Sequence, residues 1–342
     1  MKIAIYNGNL KLTTFVWRLA EVVNEDHEVI VCGTSPKLFK FEKSGVYFLP
    51  TDSNNNLVLL VQFTIKLISF SCFHLKKSKQ FISILRYSKK PLKTKIKQFL
   101  IWSKFISNKV DKIHIQWASH IYLFEELLDD SYFKIIVSLR GSLVNIAPLS
   151  NHDMKTLYQN TFKKVNQFHA VSVDIKKEAM IYGASEDKIK VIYSGIELSG
   201  FDFFKKKCYE KKERLHILSV GRQHWNKGYN YALEAFKIVC EHNVAASYTI
   251  IGAADSEEII YIINDLKIKG EVILMPKMEY NDVLKAMRRA DVLVLPSVSE
   301  GIANVVIEAM AIGLPVISSN AGGMAELVIH KQTGLLFENR DV

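Results

Sequence analysis

Short apolar runs and longer stretches of helical periodicity alternate along most of the chain. KIAIY (2–6), EVIVCG (28–33), KIHIQW (112–117), KIIVSL (134–139), FHAVSV (168–173) and KVIYSG (190–195) are rich in β-branched residues and close on turn-forming ones, which predicts strands. Helix-length segments separate most of them, the βαβ signature of a parallel sheet with helices on both faces. IELSGFDFFKKKCYEKKER (196–214) breaks the pattern, being polar, charged and aperiodic. The alternation restarts with LHILSVG (215–221), ASYTIIG (246–252), EVILM (271–275), DVLVLPS (291–297), LPVISS (314–319) and GLLF (334–337). The expectation is α/β: two Rossmann-like, doubly wound parallel-sheet domains, 1–197 and 215–342, with a hinge at 198–214. Ligands of such sheets bind at the carboxyl ends of the strands, and two facing domains place their site in the cleft between them.

Composition narrows the class. At 342 residues the chain can bury two cores, and 49% hydrophobic with 23% charged residues is ordinary for a soluble globular protein. Cys32, Cys72, Cys208 and Cys240 lie far apart with no CxxC pair, which argues against a zinc ribbon or a disulfide framework and for a reducing cytoplasm. The opening MKIAIYNGNL lacks the apolar core of a signal peptide and reads as a first strand. The most apolar later window, LVLLVQFTIKLISFSCF (57–73), is broken by Gln62 and Lys66. It falls short of the roughly 20 apolar residues of a membrane span and predicts a buried or interfacial helix.

Charge changes the picture further. The formal balance is +10, yet no Asp or Glu occurs from Ser53 to Val110, where lysines and arginines interleave with Phe, Ile, Leu and Trp. Two readings stand side by side: a solvated helical face, or a face lying on anionic lipid headgroups at the inner side of the plasma membrane. Nothing that recognises bases accompanies the charge, so nucleic acid is not an expected partner.

The candidate chemistry sits in the C-terminal half. In SVGRQHWNKGYNYALEAF (219–236) a strand ends at Val220, Gly221 permits a tight turn, and a helix begins near Gly228. Arg222 and Lys227 stand in that strand-to-helix loop, where a guanidinium and an ammonium can face a diphosphate; two solvated loop cations are the plainer alternative. In VLVLPSVSEGIANVVIEAMAIGLP a strand is followed by SEGIAN (299–304) and by a helix ending at Gly313. Main-chain N–H groups of Gly301, Ile302, Ala303 and Asn304 then point out of a helix N-terminus, which suits phosphate. Glu300 can reach the hydroxyls of a sugar, and Glu308, flanked by Val305, Val306, Ile307, Ala309 and Met310, can accept hydrogen bonds from a ribose. A cap glutamate and an exposed helical glutamate are the alternatives, although a carboxylate buried in such company needs partners.

SVGR, NKG and then AMRRADVLVLPSVSEGIANVVIEAMAIGLPVISSNAGGMAELV (286–328) closely resemble glycosyltransferase family 4, retaining nucleotide-sugar-dependent enzymes of the GT-B fold. HAVSVDIKKEAMIYGASEDKIKVIYSGIE and VDKIHIQWA extend the likeness more weakly. The resemblance implies that Arg222 and Lys227 bind the donor diphosphate and stabilise it as a leaving group. It implies that Glu300 orients the transferred sugar, Glu308 holds the ribose, and Gly301 to Asn304 give main-chain contacts. It also implies that the loop around Gly8 and Asn9 faces donor phosphates or acceptor. No cofactor is expected beyond a UDP- or GDP-linked co-substrate. No DxD-type motif stands at a strand end, so a metal-independent reaction is expected. The acceptor would be a glycan or a lipid-linked one, in cell-surface polysaccharide synthesis.

The chain departs from the family in places. Where many members carry His-Gly, it has Arg140 and Gly141, and arginine cannot serve as a general base. Gln116 stands where a second histidine is common, while His114 remains. The chain ends at LLFENRDV (335–342) without the family's final helices, which predicts exposed apolar sheet surface. A non-catalytic donor-binding subunit, a truncated enzyme and a nucleotide-sugar epimerase are the competing readings, the last lacking a convincing acid–base pair. The base-reading residues are expected near Met275 to Met278, after the strand EVILM.

Overall fold

The computed structural model describes residues 1–35, 41–43, 45–129, 132–196 and 213–342. Most of the expected hinge, 198–212, lies outside the described residues. The chain divides into two compact units, one of 1–171 with 176–192 and one of 172–175 with 193–342.

The first unit is built on eight strands: β1 (Lys2–Asn9), β2 (Glu28–Thr34), β3 (Phe41–Lys43), β4 (Val46–Pro50), β5 (Lys112–Ile115), β6 (Lys134–Leu139), β7 (Gln167–Ala170) and β8 (Ile189–Val191). Their order is β3-β4-β2-β1-β5-β6-β7-β8, and every pair is parallel except β3 with β4. The helices of this unit are α1 (Thr14–Asp26), α2 (Asn56–Phe73), α3 (Leu75–Tyr87), α4 (Leu92–Ser107), the short α5 (Ser142–Asn145) and α6 (Ala147–Ser150), α7 (His152–Thr161) and, from residue 176 on, α8 (Val173–Ile181). Phe15, Val16, Leu19, Ala20 and Val23 of α1 bury against Ile5, Val29, Val31 and Phe48, so alternate strand residues meet the apolar stripe of the helix.

Three sequence expectations change here. The edge pair β3–β4 has no counterpart among the expected strands; VYFLP is short and ends in proline, a residue tolerated at strand margins. KVIYSG yields only β8, and FHAVSV stops at Ala170 because Val173 already opens α8. The window 57–73 forms, with Asn56, an 18-residue helix that is long and apolar enough to cross a membrane by length and composition. Two polar interruptions break an unbroken run but leave the average of the helix apolar. The side chain of Asn55 caps it by accepting from the N–H groups of Leu57 and Val58.

The basic layer α2–α4 is tied to the sheet by buried charge. Asp52, 1% exposed, takes Lys97 Nζ at 2.7 Å and the hydroxyls of Thr34 and Thr51. Lys104 donates to the carbonyls of Pro50 and Thr51, and burial with Lys66 nearby pulls its pKa down to about 8. Trp102, fully buried, donates to the Leu123 carbonyl at 3.0 Å.

The second unit contains β9 (Leu215–Val220), α9 (Tyr229–Glu241), β10 (Ala246–Ile251), α10 (Glu257–Asp265), β11 (Val272–Met275), α11 (Tyr280–Arg289), β12 (Val292–Leu295), α12 (Asn304–Ala311), β13 (Val316–Ser319), α13 (Met324–Leu327) and β14 (Leu335–Phe337). Its sheet, β11-β10-β9-β12-β13-β14, is parallel throughout. Leu218, Leu293, Leu295 and Val316 pack against α11 and α12, whereas Tyr248 and Ile250 pack against α9 and α10. Both faces are therefore covered, as a parallel sheet requires.

Within the first sheet, His114 Nε2 lies 2.9 Å from Ser138 Oγ, which lies 3.0 Å from His169 Nδ1. Burial, then His169 and Arg140, pull the His114 pKa down to about 3. In the unfolded chain His114 takes a proton near its ordinary value of about 6.5. Below that pH the unfolded state binds more protons, so His114 makes stability fall as pH drops from about 6.5 towards 3, by at most about 1.4 kcal/mol per pH unit. We expect His114→Gln to flatten the slope of urea midpoint against pH in this window, as measured by tryptophan fluorescence.

Candidate functional site

The second sheet reverses direction between β9 and β12, the place where doubly wound sheets open a crevice at their carboxyl ends. Two loops leave the sheet there, 221–228 and 296–303. Gly221 closes β9: its N–H donates to the Ile251 carbonyl and its carbonyl accepts the Tyr229 hydroxyl, each at 3.0 Å. Gly228 has φ +64, and a Cβ there would strike the Pro296 carbonyl oxygen. This close approach brings Lys227 Nζ to 2.5 Å from Glu300 Oε1, and both side chains are mostly buried. The Ser297 hydroxyl donates to the same carboxylate oxygen at 2.8 Å. Asn226 stitches the loops together, its carbonyl accepting Val298 N–H at 2.7 Å and its amide donating to the Ser299 carbonyl at 3.3 Å. Arg222 is exposed and has no ion-pair partner among the described residues.

Asn304 opens α12, and the cap residue Ala303 supplies no capping side chain. The first-turn N–H groups therefore remain suited to an anion. Gly301 and Ala303 are buried, whereas Ile302 and Asn304 are half-buried. Behind this turn, Gly322 at φ +58 and Gly323 leave no room for a Cβ, which would strike the carbonyls of Glu300 and Gly301. Glu308 is half-buried on α12 rather than deep inside it, because Val306 and Ala309 take the core-facing positions. The Met275 carbonyl accepts the N–H groups of Gly252 and Ala253, which sets residues 276–278 at the same sheet edge. Among the described residues no group of three or more His, Cys, Asp or Glu is arranged to hold a metal ion.

The first sheet reverses between β1 and β5. Gly8 and Asn9, expected in a loop, are the last residues of β1, whose register with β2 shifts between Tyr6 and Asn9. Gly8, at φ +81, lies against the His120 ring so closely that no Cβ fits. Trp117 Nε1 donates to Asn7 Oδ1 at 3.0 Å. Arg140 follows β6, lies 4.3 Å over the Phe15 ring and donates to Gln116 Oε1 at 3.3 Å. Burial draws its pKa down to about 10, which leaves it cationic at neutral pH. Arg140 Nε and Gln116 Nε2 are buried donors without a partner among the described residues. Gly141, at φ +43, opens α5. His114 stays inside the sheet, held by Ser138.

The structure thus brings Lys227, Glu300 and the start of α12 together on one sheet edge, with Arg222 and Gly221 in the adjoining turn. Sequence reasoning missed Asn226, Ser297, Gly322 and Gly323. Asn-x-Gly after a strand and Gly-Gly after a β-run were the available signals, and neither reveals its partner, 73 residues away for Asn226 and 22 for the glycine pair.

An apolar hollow of about 350 Å³ lies elsewhere in this unit, lined by Ile217, Phe236, Val294, Phe337 and Val342 among others. It holds none of the candidate site residues.

This architecture, two Rossmann-like parallel-sheet domains, is that of GT-B glycosyltransferases. Residues 201–342, most of the second unit, match the family described as glycosyl transferases group 1. An uncharacterized glycosyltransferase of Methanocaldococcus jannaschii is 28% identical over 267 residues, 69% of this chain and 67% of that protein. The amylovoran biosynthesis glycosyltransferase of Erwinia amylovora is 34% identical over 166 residues, 46% of this chain and only 40% of that protein. The structure of Anabaena HepE in complex with UDP-glucose superposes with a TM-score of 0.66 at 15% identity, covering 99% of this chain and 85% of that one.

The glycine contacts carry a test of the site's construction. Gly228→Ala and Gly322→Ala each place a side chain in the left-handed region against a carbonyl oxygen. Each is expected to destabilise the second unit by about 1–3 kcal/mol, read as a lower melting temperature. Arg222→Ala, on an exposed side chain, leaves the melt unchanged.

Proposed function

We propose that the chain is a retaining glycosyltransferase that moves a sugar from a UDP- or GDP-linked donor to a glycan or lipid-linked acceptor in cell-surface polysaccharide synthesis. The observation that carries this reading is the Lys227–Glu300 pair, at the switch point of the second sheet beside the uncapped start of α12. The glycosyl transferases group 1 match, and relatives named for polysaccharide synthesis or solved with UDP-glucose, support it.

Breaking the anomeric C–O bond develops negative charge on the leaving diphosphate and positive charge on the sugar. In this reading Lys227, Arg222 and the N–H groups of α12 stabilise the diphosphate, at little reorganisation cost because the fold already holds them. Glu300 gives up Lys227 in part and accepts hydrogen bonds from the transferred sugar. Glu308 holds the ribose, and residues 275–278 meet the base. Arg140 and Gln116, with their open donors, receive an anionic or hydroxyl-bearing group of the acceptor or donor. The reaction needs no metal in this scheme. Cys32, Cys72 and Cys240 form no disulfide, which is consistent with a cytoplasmic setting.

Calorimetric titration of the full chain with UDP, GDP and ADP should show selective binding of one nucleotide, lost in Glu308→Ala. Transfer should fall about 10²–10³-fold in Lys227→Met with the fold intact. It should fall at least as far in Glu300→Gln, and the product anomer seen by NMR should match the donor. Nucleotide binding without turnover by the wild type would instead assign a non-catalytic donor-binding subunit.

A further inference from the structure

α2 is apolar on two sides, and only one of them is used. Leu59 and Phe70 are buried, and Phe63 and Phe70 make edge contacts with Phe99 of α4 while Phe70 stacks on Phe81 of α3. The other side presents Leu57 (72% exposed), Val61, Ile65 (60%), Ile68 (63%) and Cys72, with Leu60 and Phe73 (83%) beside them. Steps of four, four, three and four residues put these positions on one stripe, about 22 Å long at 1.5 Å per residue. Leu75, Ile82, Tyr87 and Leu92 continue the exposed apolar surface onto α3 and the start of α4. A contiguous exposed apolar surface of this kind marks an interaction site rather than scatter.

The surrounding charge has one sign. Residues 53–110 contain twelve lysines and arginines and no acid, against +10 for the whole chain, so the rest of the chain is net acidic. Some of these cations serve the fold: Lys97 pairs with Asp52, Lys90 with Glu125 and Glu126, and Lys104 and Lys66 are hydrogen-bonded. Lys76, Lys79, Arg86, Lys89 and Lys93 are exposed and have no partner among the described residues.

We infer that α2, with the free cations of α3 and the α3–α4 turn, docks the first unit onto an anionic phospholipid surface, α2 lying in the plane of the interface. Apolar side chains enter the acyl boundary while ammonium and guanidinium groups meet phosphate headgroups. A spanning α2 is disfavoured by its inner side. Crossing would strip Phe63 and Phe70 from their aromatic partners and carry Gln62 and Lys66, now held against the unit, into hydrocarbon. A second copy of the chain is disfavoured by charge, because stripe on stripe would bring two acid-free basic segments together. The inference stands apart from the sugar-transfer reading.

The test is co-sedimentation of the full chain with vesicles of phosphatidylcholine alone, or mixed with phosphatidylglycerol. Expected are binding to the anionic vesicles, loss at high salt, and little binding to the neutral ones. The variant Leu57→Ser/Val61→Ser/Ile65→Ser/Ile68→Ser should lose binding while keeping its circular dichroism. Lys76→Gln/Lys79→Gln/Lys89→Gln/Lys93→Gln should weaken it about fivefold per lysine. Three results would overturn the inference: no binding to anionic vesicles, bound protein that alkaline carbonate cannot extract, or a solution dimer that the serine variant abolishes.

Discussion

The approach of main chain to main chain at the carboxyl edge of the second sheet governs the site. Gly228 meets the Pro296 carbonyl, Gly252 that of Gly221, and Gly322 and Gly323 those of Glu300 and Gly301. At each point a methyl group would force the loops apart. With the loops in contact, Asn226 can bridge them and Lys227 can meet Glu300 although the two lie 73 positions apart. Chemistry at this edge therefore depends on the absence of side chains as much as on their presence. These glycines also confine the charged groups, since two mostly buried partners have little freedom to rearrange.

The two units use the same topology for different electrostatics. Each reverses its strand order beside its first strand and gathers polar groups there. In the second unit a cation and a carboxylate neutralise each other. In the first, a buried guanidinium stacks on Phe15 and is held by an amide rather than a carboxylate, so its charge stays uncompensated by a close acid among the described residues. One edge holds its charges as an internal pair, and the other keeps a cation with open donors.

Much of this was legible in the residues. Alternating runs gave both parallel sheets, and the two glutamates eight apart, with Arg222 and Lys227, marked the edge that the fold assembles. Periodicity could not give β3 and β4, because a short run ending in proline carries too little pattern. It also could not place Glu308, whose apolar neighbours suggested depth although only every third or fourth residue of α12 faces the core. Asn226 was invisible because its partner, the Ser299 carbonyl, is brought to it by tertiary structure alone, and Ser297 because a serine three residues before a glutamate carries no signal of its own. For α2, counting an unbroken apolar run understated its length and apolarity, since two separated polar residues leave a long apolar helix.

The Lys227–Glu300 pair has a consequence for which occupants the edge can tolerate. A simple anion that draws Lys227 away leaves Glu300 a carboxylate deprived of its cation in a mostly buried position, with Ser297 as its remaining hydrogen-bond donor. A neutral polyol can donate to Glu300 and accept from Lys227, but it brings no negative charge to the lysine. A molecule joining an anion to hydroxyl donors would meet the lysine with charge and the carboxylate with hydrogen bonds at once. The same logic acts in reverse once such a molecule is cut in two: each fragment leaves one member of the pair wanting, and re-forming the pair helps to expel both. If the edge binds a donor as proposed, a resting ion pair of this kind would act as a lock against partial ligands and as a spring for release.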